Sequence, residues 1–322
     1  MTNTTVVIPN YNGMKYITGC LHSLFKGEEE PKVIVVDNGS TDGSREWIIE
    51  TYQNIQMITF PENKGFSAAV NAGIRAATTE YVFLLNDDTT VEEETIPALE
   101  AVMEQNADAF SVAAKMLNMN SSDKLDGAGD FYSSLGWAYA RGKDKSADRY
   151  SRSGATRIFS ACAGAALYRK KLFDVIGYFD ENHFAYLEDL DIGYRANIKG
   201  YRNLFAPEAI VYHAGSGVSG SRHNEFKVSL SSRNSIYLIY KNMPLLQIII
   251  NLPFLILGYL IKTLFFVLKG LGGTYLKGLK EGFQLSFSKE GRENKVKFAA
   301  KNIGHYVWIQ LQLWINIFRR LF

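Results

Sequence analysis

Within its first 85 residues the sequence alternates between short β-branched runs and segments of helical character. No other feature restricts the fold as much. Thr5-Val6-Val7-Ile8-Pro9, Lys32-Val33-Ile34-Val35-Val36, Ile55 to Phe60 and Tyr81-Val82-Phe83-Leu84-Leu85 read as strands. Tyr16 to Phe25, residues 44–53 and Phe66 to Ala77 read as the helices between them. The second and fourth runs are almost continuously apolar, as strands are when both faces of a parallel sheet are covered. A βαβαβαβ order predicts an α/β fold: an open, mainly parallel twisted sheet flanked by helices. Such sheets bind ligands beyond the carboxyl ends of their strands. There, three of the four strands run directly into polar side chains: Asn10-Tyr11-Asn12, Asp37-Asn38 and Asn86-Asp87-Asp88.

Downstream, residues 95–106 read as a helix, 158–176 as a strand then a helix, and 201–214 as a strand ending at Tyr212-His213. Residues 118–155 are rich in Gly, Ser and Asp, with Trp137 and Tyr139 interleaved. A stretch that long is expected to be a substrate loop or lid. Gly215 to Gly220 reads as a mobile loop. Near residue 225 the character changes, which divides the chain into a catalytic part, 1–225, and a helical C-terminal region, 226–322.

Charge follows the same division. Residues 222–322 carry 15 Lys and Arg against 4 Asp and Glu, leaving 20 against 29 for the rest. An acidic first part suits a metal site, and a basic, apolar tail suits an anionic membrane surface. The tail holds too much Leu, Ile and Phe for a phosphate-binding arm, so nucleic acid is not expected as a partner. Leu245 to Leu268 is long enough to cross a bilayer. Pro253 and Lys262 within it favour a helix lying in the interface or an amphipathic hairpin. Tyr306 to Phe322 is a second aromatic and basic amphipathic stretch, with Trp308, Trp314, Arg319 and Arg320 suited to headgroup level. A homo-oligomer interface and an ordinary packed helical subdomain are the other uses for such faces. Cys20 and Cys162 are too few for a disulfide framework or a four-cysteine zinc site. The start, Met1-Thr2-Asn3, has no basic and apolar leader, so a cytoplasmic location at the inner face of the cell membrane is expected.

Adjacent carboxylates after a buried strand, as at Asp87-Asp88, repel each other and favour a cation. Hard oxygen ligands select Mg²⁺ or Mn²⁺, which in turn bind diphosphates. A helix N-cap is the competing use of Asp88. Asp37 can hold a base N–H or a ribose hydroxyl, or close an Asx-turn. Glu188-Asp189-Leu190-Asp191 follows the aromatic run His183-Phe184-Ala185-Tyr186. A carboxylate among apolar walls and other carboxylates has a raised pKa and suits a general base. Acid placement at a helix N-terminus explains the same pattern. His213 is a candidate ligand for metal or phosphate.

Five motifs occur in this order: Thr5 to Asn12, Val35 to Ser44, Glu62 to Gly73, Leu84 to Thr89 and Tyr186 to Asp191. The series resembles the family 2 glycosyltransferases, which have the GT-A fold. The variant Asn-Asp-Asp, with Gly164-Ala165 and His213, is most similar to the bacterial rhamnosyltransferase branch. The resemblance covers about residues 4–235. It implies that Pro9, Tyr11 and Asp37 line the nucleobase and ribose site. It also implies that Asn63, Lys64, Gly65 and Asn71 lie near the nucleotide. Asp88 matches the second acid of the family's Asp-X-Asp metal motif, with Asp87 beside it. Asn86 replaces the first acid, which removes one charge and makes His213 more useful as a ligand. Asp189 matches the catalytic base, with Glu188 orienting it or touching the acceptor. Arg222 and Arg233 are expected to close over the diphosphate, and Gly164 and Trp137 to contact the acceptor.

The resemblance thus implies an inverting, metal-dependent transferase that moves a sugar from a nucleotide-diphosphate donor. dTDP-rhamnose is expected first and UDP-hexoses second. The acceptor would be a lipid-linked saccharide in bacterial surface polysaccharide assembly. Two other classes fit parts of the pattern. A sugar nucleotidyltransferase would carry a glycine-rich basic loop where Asn10-Tyr11-Asn12-Gly13 stands. A non-catalytic nucleotide-sugar-binding scaffold would have no use for Asp88, Asp189 and His213 together.

Overall fold

The computed structural model of the chain describes residues 3–27, 30–152, 154–215 and 223–321. Its first half runs β1 (Thr4–Asn10), α1 (Met14–Leu24), β2 (Lys32–Asp37), α2 (Ser44–Thr51), β3 (Gln56–Thr59), α3 (Phe66–Ala76), β4 (Tyr81–Leu85), β5 (Thr89–Val91), α4 (Thr95–Gln105) and β6 (Ala109–Asn118). It continues with β7 (Ser121–Gly127), β8 (Asp130–Tyr132), β9 (Ala138–Ala140), β10 (Thr156–Ile158), β11 (Ala165–Arg169), α5 (Phe173–Ile176), α6 (Glu188–Ile198) and β12 (Arg202–His213). Five helices follow: α7 (Glu225–Asn242), α8 (Leu245–Leu268), α9 (Gly272–Phe287), α10 (Lys289–Glu293) and α11 (Ile303–Leu321).

Among the described residues one sheet has ten strands. Its main path is β10-β12-β6-β11-β4-β1-β2-β3, with β5 on β12 and β7 on β6. β3, β2, β1 and β4 are mutually parallel, whereas β11 runs antiparallel between β4 and β6. The mixed α/β architecture with a mostly parallel sheet matches the expectation. Strand alternation sorts the core into two layers. Val6, Ile8, Val35, Phe83 and Leu85 pack with α1, α2 and α4 through Ile17, Leu21, Ile48 and Leu99. Val7, Ile34, Val36, Val82 and Leu84 face the other way, onto Ala69, Val70 and Ile74 of α3. Chain order reverses between β1 and β4, which opens a crevice where Asn10 and Asn86-Asp87-Asp88 emerge.

The alanines of α3 let it press close to β1. A Cβ added to Gly73 would lie 2.2 Å from Val7 Cγ1. Valine has little rotamer freedom with which to yield.

Two expectations change. Residues 118–155 are not a long loop: they form β6's end, β7, the β8–β9 ribbon and a 3₁₀ turn at Ala147–Tyr150. Short strands carrying Gly, Ser and Asp gave no period-2 signal there. Leu245–Leu268 is one unbroken helix with Pro253 inside it, not a hairpin. The C-terminal region also shares the main core, since Leu238, Leu255, Ile309 and Leu313 join the same buried cluster as Val7. In α11, Asn316 Nδ2 donates to the Tyr132 carbonyl at 2.9 Å, and Tyr139 Oη donates to the Asn316 carbonyl at 2.6 Å.

Gly73→Ala is expected to destabilise the fold by about 1–3 kcal/mol through overpacking against Val7. Urea denaturation checks this, and an unchanged midpoint would show that α3 can move off β1.

Candidate active site

At the crevice a cleft of about 590 Å³ is lined from both sides of the switch point. Pro9, Tyr11, Asn38, Asn63 and Gly65 form one wall, Asn86, Asp87, Asp88 and His213 the floor, and Gly164, Glu188 and Asp189 the far side. Strand ends supply most of these, because buried apolar runs must stop where polar side chains begin.

On the floor, Asp87 packs against bare backbone. A Cβ on Gly13 would lie 2.2 Å from Asp87 Oδ2. Burial first, then the charge of Asp88, raises Asp87 to about 7. Asp88 Oδ1 is buried without a hydrogen-bond partner, although His213 Nε2 stands 3.2 Å away. His213 is oriented from behind: its Nδ1 lies 2.8 Å from Asp126 Oδ2, and Asp126 also pairs with Lys143. Burial alone would raise Asp126, but hydrogen bonds and charges from His213 and Lys143 hold it at about 2. Burial would lower His213, and the two carboxylates outweigh it, raising the imidazole to about 9. A carboxylate that fixes one ring nitrogen and leaves the other facing a second acid is the arrangement that metal-ligating histidines use.

Across the cleft, three more acids gather with Cys162. One ligand-type atom from each of Asp130, Cys162 and Asp189 lies within 4.8 Å of the others. Burial raises Asp189, even though the Leu190 and Ala163 backbone N–H groups hydrogen-bond to it. Burial, with Asp189 beside it, also holds Glu188 well above the usual carboxylate range. The Cys162 thiol is pushed up by burial and by Asp130 and Asp189. A neutral thiol is a poor partner for a hard cation. The Asp88–His213 pair therefore fits Mg²⁺ or Mn²⁺ better, and Asp189 is left as a half-buried carboxylate.

The loop carrying the aromatic run takes unusual backbone. Phe184, Tyr186 and Leu187 all have positive φ, at 61°, 71° and 67°. Such conformations persist only where surroundings impose them. Here α7 does so: Asn234 Nδ2 donates to the carbonyls of His183, Ala185 and Tyr186 at 2.9, 2.9 and 2.7 Å. On the other side, Ser67 N–H donates to the Phe184 carbonyl, and a Cβ on Gly65 would strike Phe184. Beneath lies a buried ionic network. Lys241 Nζ reaches Asp180 Oδ2 at 2.7 Å and Asp191 Oδ2 at 2.8 Å, and Asp191 also takes Arg195 and Asn242.

Several residues expected at the site lie elsewhere. Trp137 packs away from the cleft, its Nε1 donating to the Gly258 carbonyl of α8 at 3.1 Å. Arg233 Nη2 donates to the Asn182 and His183 carbonyls, so it braces the loop rather than closing over a diphosphate. Asn71 is buried and bonds Phe179 and Glu181. Asp37 is buried behind the wall, accepting from Asn10 and Ser40. The Lys64 ammonium sits over the Phe60 ring, and only its N–H turns inward, to Asn38. Arg222 lies outside the described residues. Sequence reasoning missed Asp126 and Asp130, and gave Asn38 no role of its own. The first two fall in the stretch without periodicity, whereas Asn38 adjoined Asp37 and was legible as a strand-end polar residue.

A family model, glycosyl transferase family 2, matches residues 5–177. The chain belongs to that family and is a glycosyltransferase of its type. An N-acetylglucosaminyl-diphospho-decaprenol L-rhamnosyltransferase of Mycobacterium tuberculosis is 24% identical over 266 residues, covering 71% of this chain and 84% of the relative. Among solved structures, S. aureus TarS 1–349 in complex with UDP-GlcNAc superposes with a TM-score of 0.60 at 20% identity, covering 97% of this chain and 89% of that one. The mannosyltransferase PcManGT from Pyrobaculum calidifontis, in complex with GDP-Man and Mn²⁺, gives 0.52 at 15% identity, covering 97% and 86%. These likenesses show that the fold is that of GT-A transferases.

Removing Lys241 would leave Asp180 and Asp191 buried without their shared cation. Lys241→Ala is expected to cost about 3–5 kcal/mol. Thermal denaturation checks this; a loss under 1 kcal/mol would show that water or Arg195 replaces the ammonium.

Proposed function

We propose that the chain is an inverting glycosyltransferase that uses a nucleoside-diphosphate sugar, dTDP-rhamnose first and a UDP-hexose second. The acceptor is a hydroxyl of a lipid-linked saccharide in bacterial surface polysaccharide assembly. One observation carries this reading: Asp189, a half-buried carboxylate, lines the same cleft as the oriented Asp88–His213 pair. That arrangement supports a proton acceptor on one side of the cleft and a diphosphate's counter-ion on the other. The rhamnosyltransferase relative favours the first donor and the lipid-linked acceptor.

In this reading Pro9, Tyr11, Asn63 and Gly65 hold the nucleotide, with Asn86 and Asp87 below its phosphates and Gly164 beside the acceptor. Asp88 and His213 would hold Mg²⁺ or Mn²⁺, which supplies counter-charge to the departing diphosphate when bound. Asp189 takes the acceptor hydroxyl's proton as that oxygen attacks the anomeric carbon. The bond from that carbon to the diphosphate oxygen breaks on the opposite face, so configuration inverts. A single base suffices, whereas glycosidases need two carboxylates. Phe184, Tyr186 and Phe226 line the mouth and help exclude water.

The C-terminal helices support a membrane-held acceptor. α8 is inside out: its buried positions are Gln247, Asn251, Leu255 and Gly258, while Leu246, Ile249, Leu257, Leu260 and Leu264 are exposed. Asn251 exchanges two hydrogen bonds with Gln310 of α11, each 2.8 Å. A helix that turns amides inward and leucines outward suits contact with lipid rather than water. On this reading the protein works at the inner face of the cell membrane, attached peripherally.

The test is nucleoside diphosphate release from dTDP-, UDP- and GDP-sugars with a lipid-linked acceptor. Asp189→Asn is expected to lower the rate by about 10²–10⁴ while donor binding persists, and chelator is expected to abolish it. A near-normal rate in Asp189→Asn would remove the base, and undiminished turnover in chelator would remove the metal. NMR of the product's anomeric centre reads inversion directly.

A further inference from the structure

A second cavity, of about 380 Å³, lies on the other side of the β8–β9 ribbon. Four cations, Arg141, Lys145, Arg157 and Arg319, line it with Phe131 and Tyr150. No carboxylate lines it among the described residues. Three guanidinium groups facing one cavity repel one another, so such a cluster favours a bound anion.

Aromatic rings pack against two of the guanidinium groups. Arg157 stacks on Trp308 of α11 with its Cζ 3.6 Å from the ring centroid. Arg141 sits over Tyr150 at 5.2 Å and Phe205 at 5.7 Å, and one of its edges donates to Thr156 Oγ1. Arg319 adds a third, 5.1 Å over Phe131. Stacking occupies the faces of a guanidinium and leaves N–H edges for planar or tetrahedral oxyanions, phosphate above all. Burial and the nearby charge of Arg319, only partly offset by Tyr150, lower the pKa of Arg141.

Position narrows the source of the phosphate. Trp308 and Arg319 belong to α11, whose Val307, Leu311, Ile315 and Phe318 are exposed. A phosphate at headgroup level would meet this cavity when those side chains enter the acyl region. The ribbon itself is shared. Asp130 of β8 and Ala138 and Ala140 of β9 line the cleft, Phe131 lines the second cavity, and Tyr139 lines both.

We propose that this cavity is a binding site for a lipid phosphate group, clasped by Arg141, Arg157 and Arg319 beside the catalytic cleft. The phosphate can come from an anionic bilayer phospholipid, whose charge no choline offsets, or from the diphosphate of a polyprenyl-linked saccharide. The site stands apart from the proposed transfer chemistry, because its signature is binding rather than turnover.

The experiment is flotation of the full chain with three vesicle types: phosphatidylcholine alone, and the same lipid doped with phosphatidylglycerol or with a polyprenyl diphosphate. Arg141→Gln/Arg157→Gln is expected to bind a doped vesicle about thirtyfold more weakly than wild type, with equal binding to phosphatidylcholine alone. Loss on phosphatidylglycerol assigns the site to bilayer lipid. Loss only on polyprenyl diphosphate assigns it to the acceptor lipid. Equal affinity of variant and wild type on both doped vesicles overturns the proposal, and so does an equal loss on all three. If the double variant does not fold, Arg319→Gln on the last turns of α11 decides by the same comparison, with about a fivefold loss expected.

Discussion

Asp191 carries its charge in the interior of the protein, and the active-site loop depends on how that charge is neutralised. A buried carboxylate is tolerable only with partners in good geometry. Asp191 has three, Arg195 on its own helix and Lys241 and Asn242 on α7, and together they hold it far below the ordinary range although burial alone would raise it. Lys241 extends the link to Asp180 at the start of the loop. α7 is thereby fixed against α6, and once fixed it places Asn234 where it bonds the carbonyls of His183, Ala185 and Tyr186 in the loop with left-handed residues. Glu188 and Asp189 follow directly on that backbone, so their position rests on a helix some fifty residues downstream.

The parallel half of the sheet was legible because each strand had its own apolar run and each helix its own period. The same logic exposed Asn86-Asp87-Asp88, His213 and Asp189, all at element ends and all brought to one cleft. The acids that complete the site were not legible. Asp126 and Asp130 stand on strands of seven and three residues, where alternation cannot be told from loop composition. Trp137 looked like a ligand-facing aromatic because it lay in a polar stretch, yet its indole serves as a peg for α8. Arg233 pointed to phosphate by its charge, but the nearest acceptors were carbonyls of a strained loop. Side-chain identity narrows the chemistry, and only packing decides which partner it meets.

The family match ends at residue 177, before Asp189 and His213 appear in the chain. One wall and most of the floor of the cleft lie within that match, whereas Glu188, Asp189 and His213 stand on α6 and β12, which follow it. That assembly is continuous: Tyr194 of α6 donates to Gln247 of α8 at 2.7 Å, and α11 crosses back to the β8–β9 ribbon. The C-terminal region is therefore not an appendage to the site but part of its frame.

Along α8 the usual pattern of mutational tolerance should run backwards. In a water-soluble helix the exposed positions accept almost any polar residue and the buried ones demand apolar bulk. Here Gly258 has no room even for a methyl group, since a Cβ would lie 2.1 Å from the Leu135 carbonyl oxygen, and Asn251 is committed to amide pairing. On the proposed lipid-facing reading, the outer positions need only stay apolar. Homologous chains compared along this helix would thus keep its hidden polar seam and drift freely among leucine, isoleucine and phenylalanine outside, a record of solvent identity written in substitution rather than in any single residue.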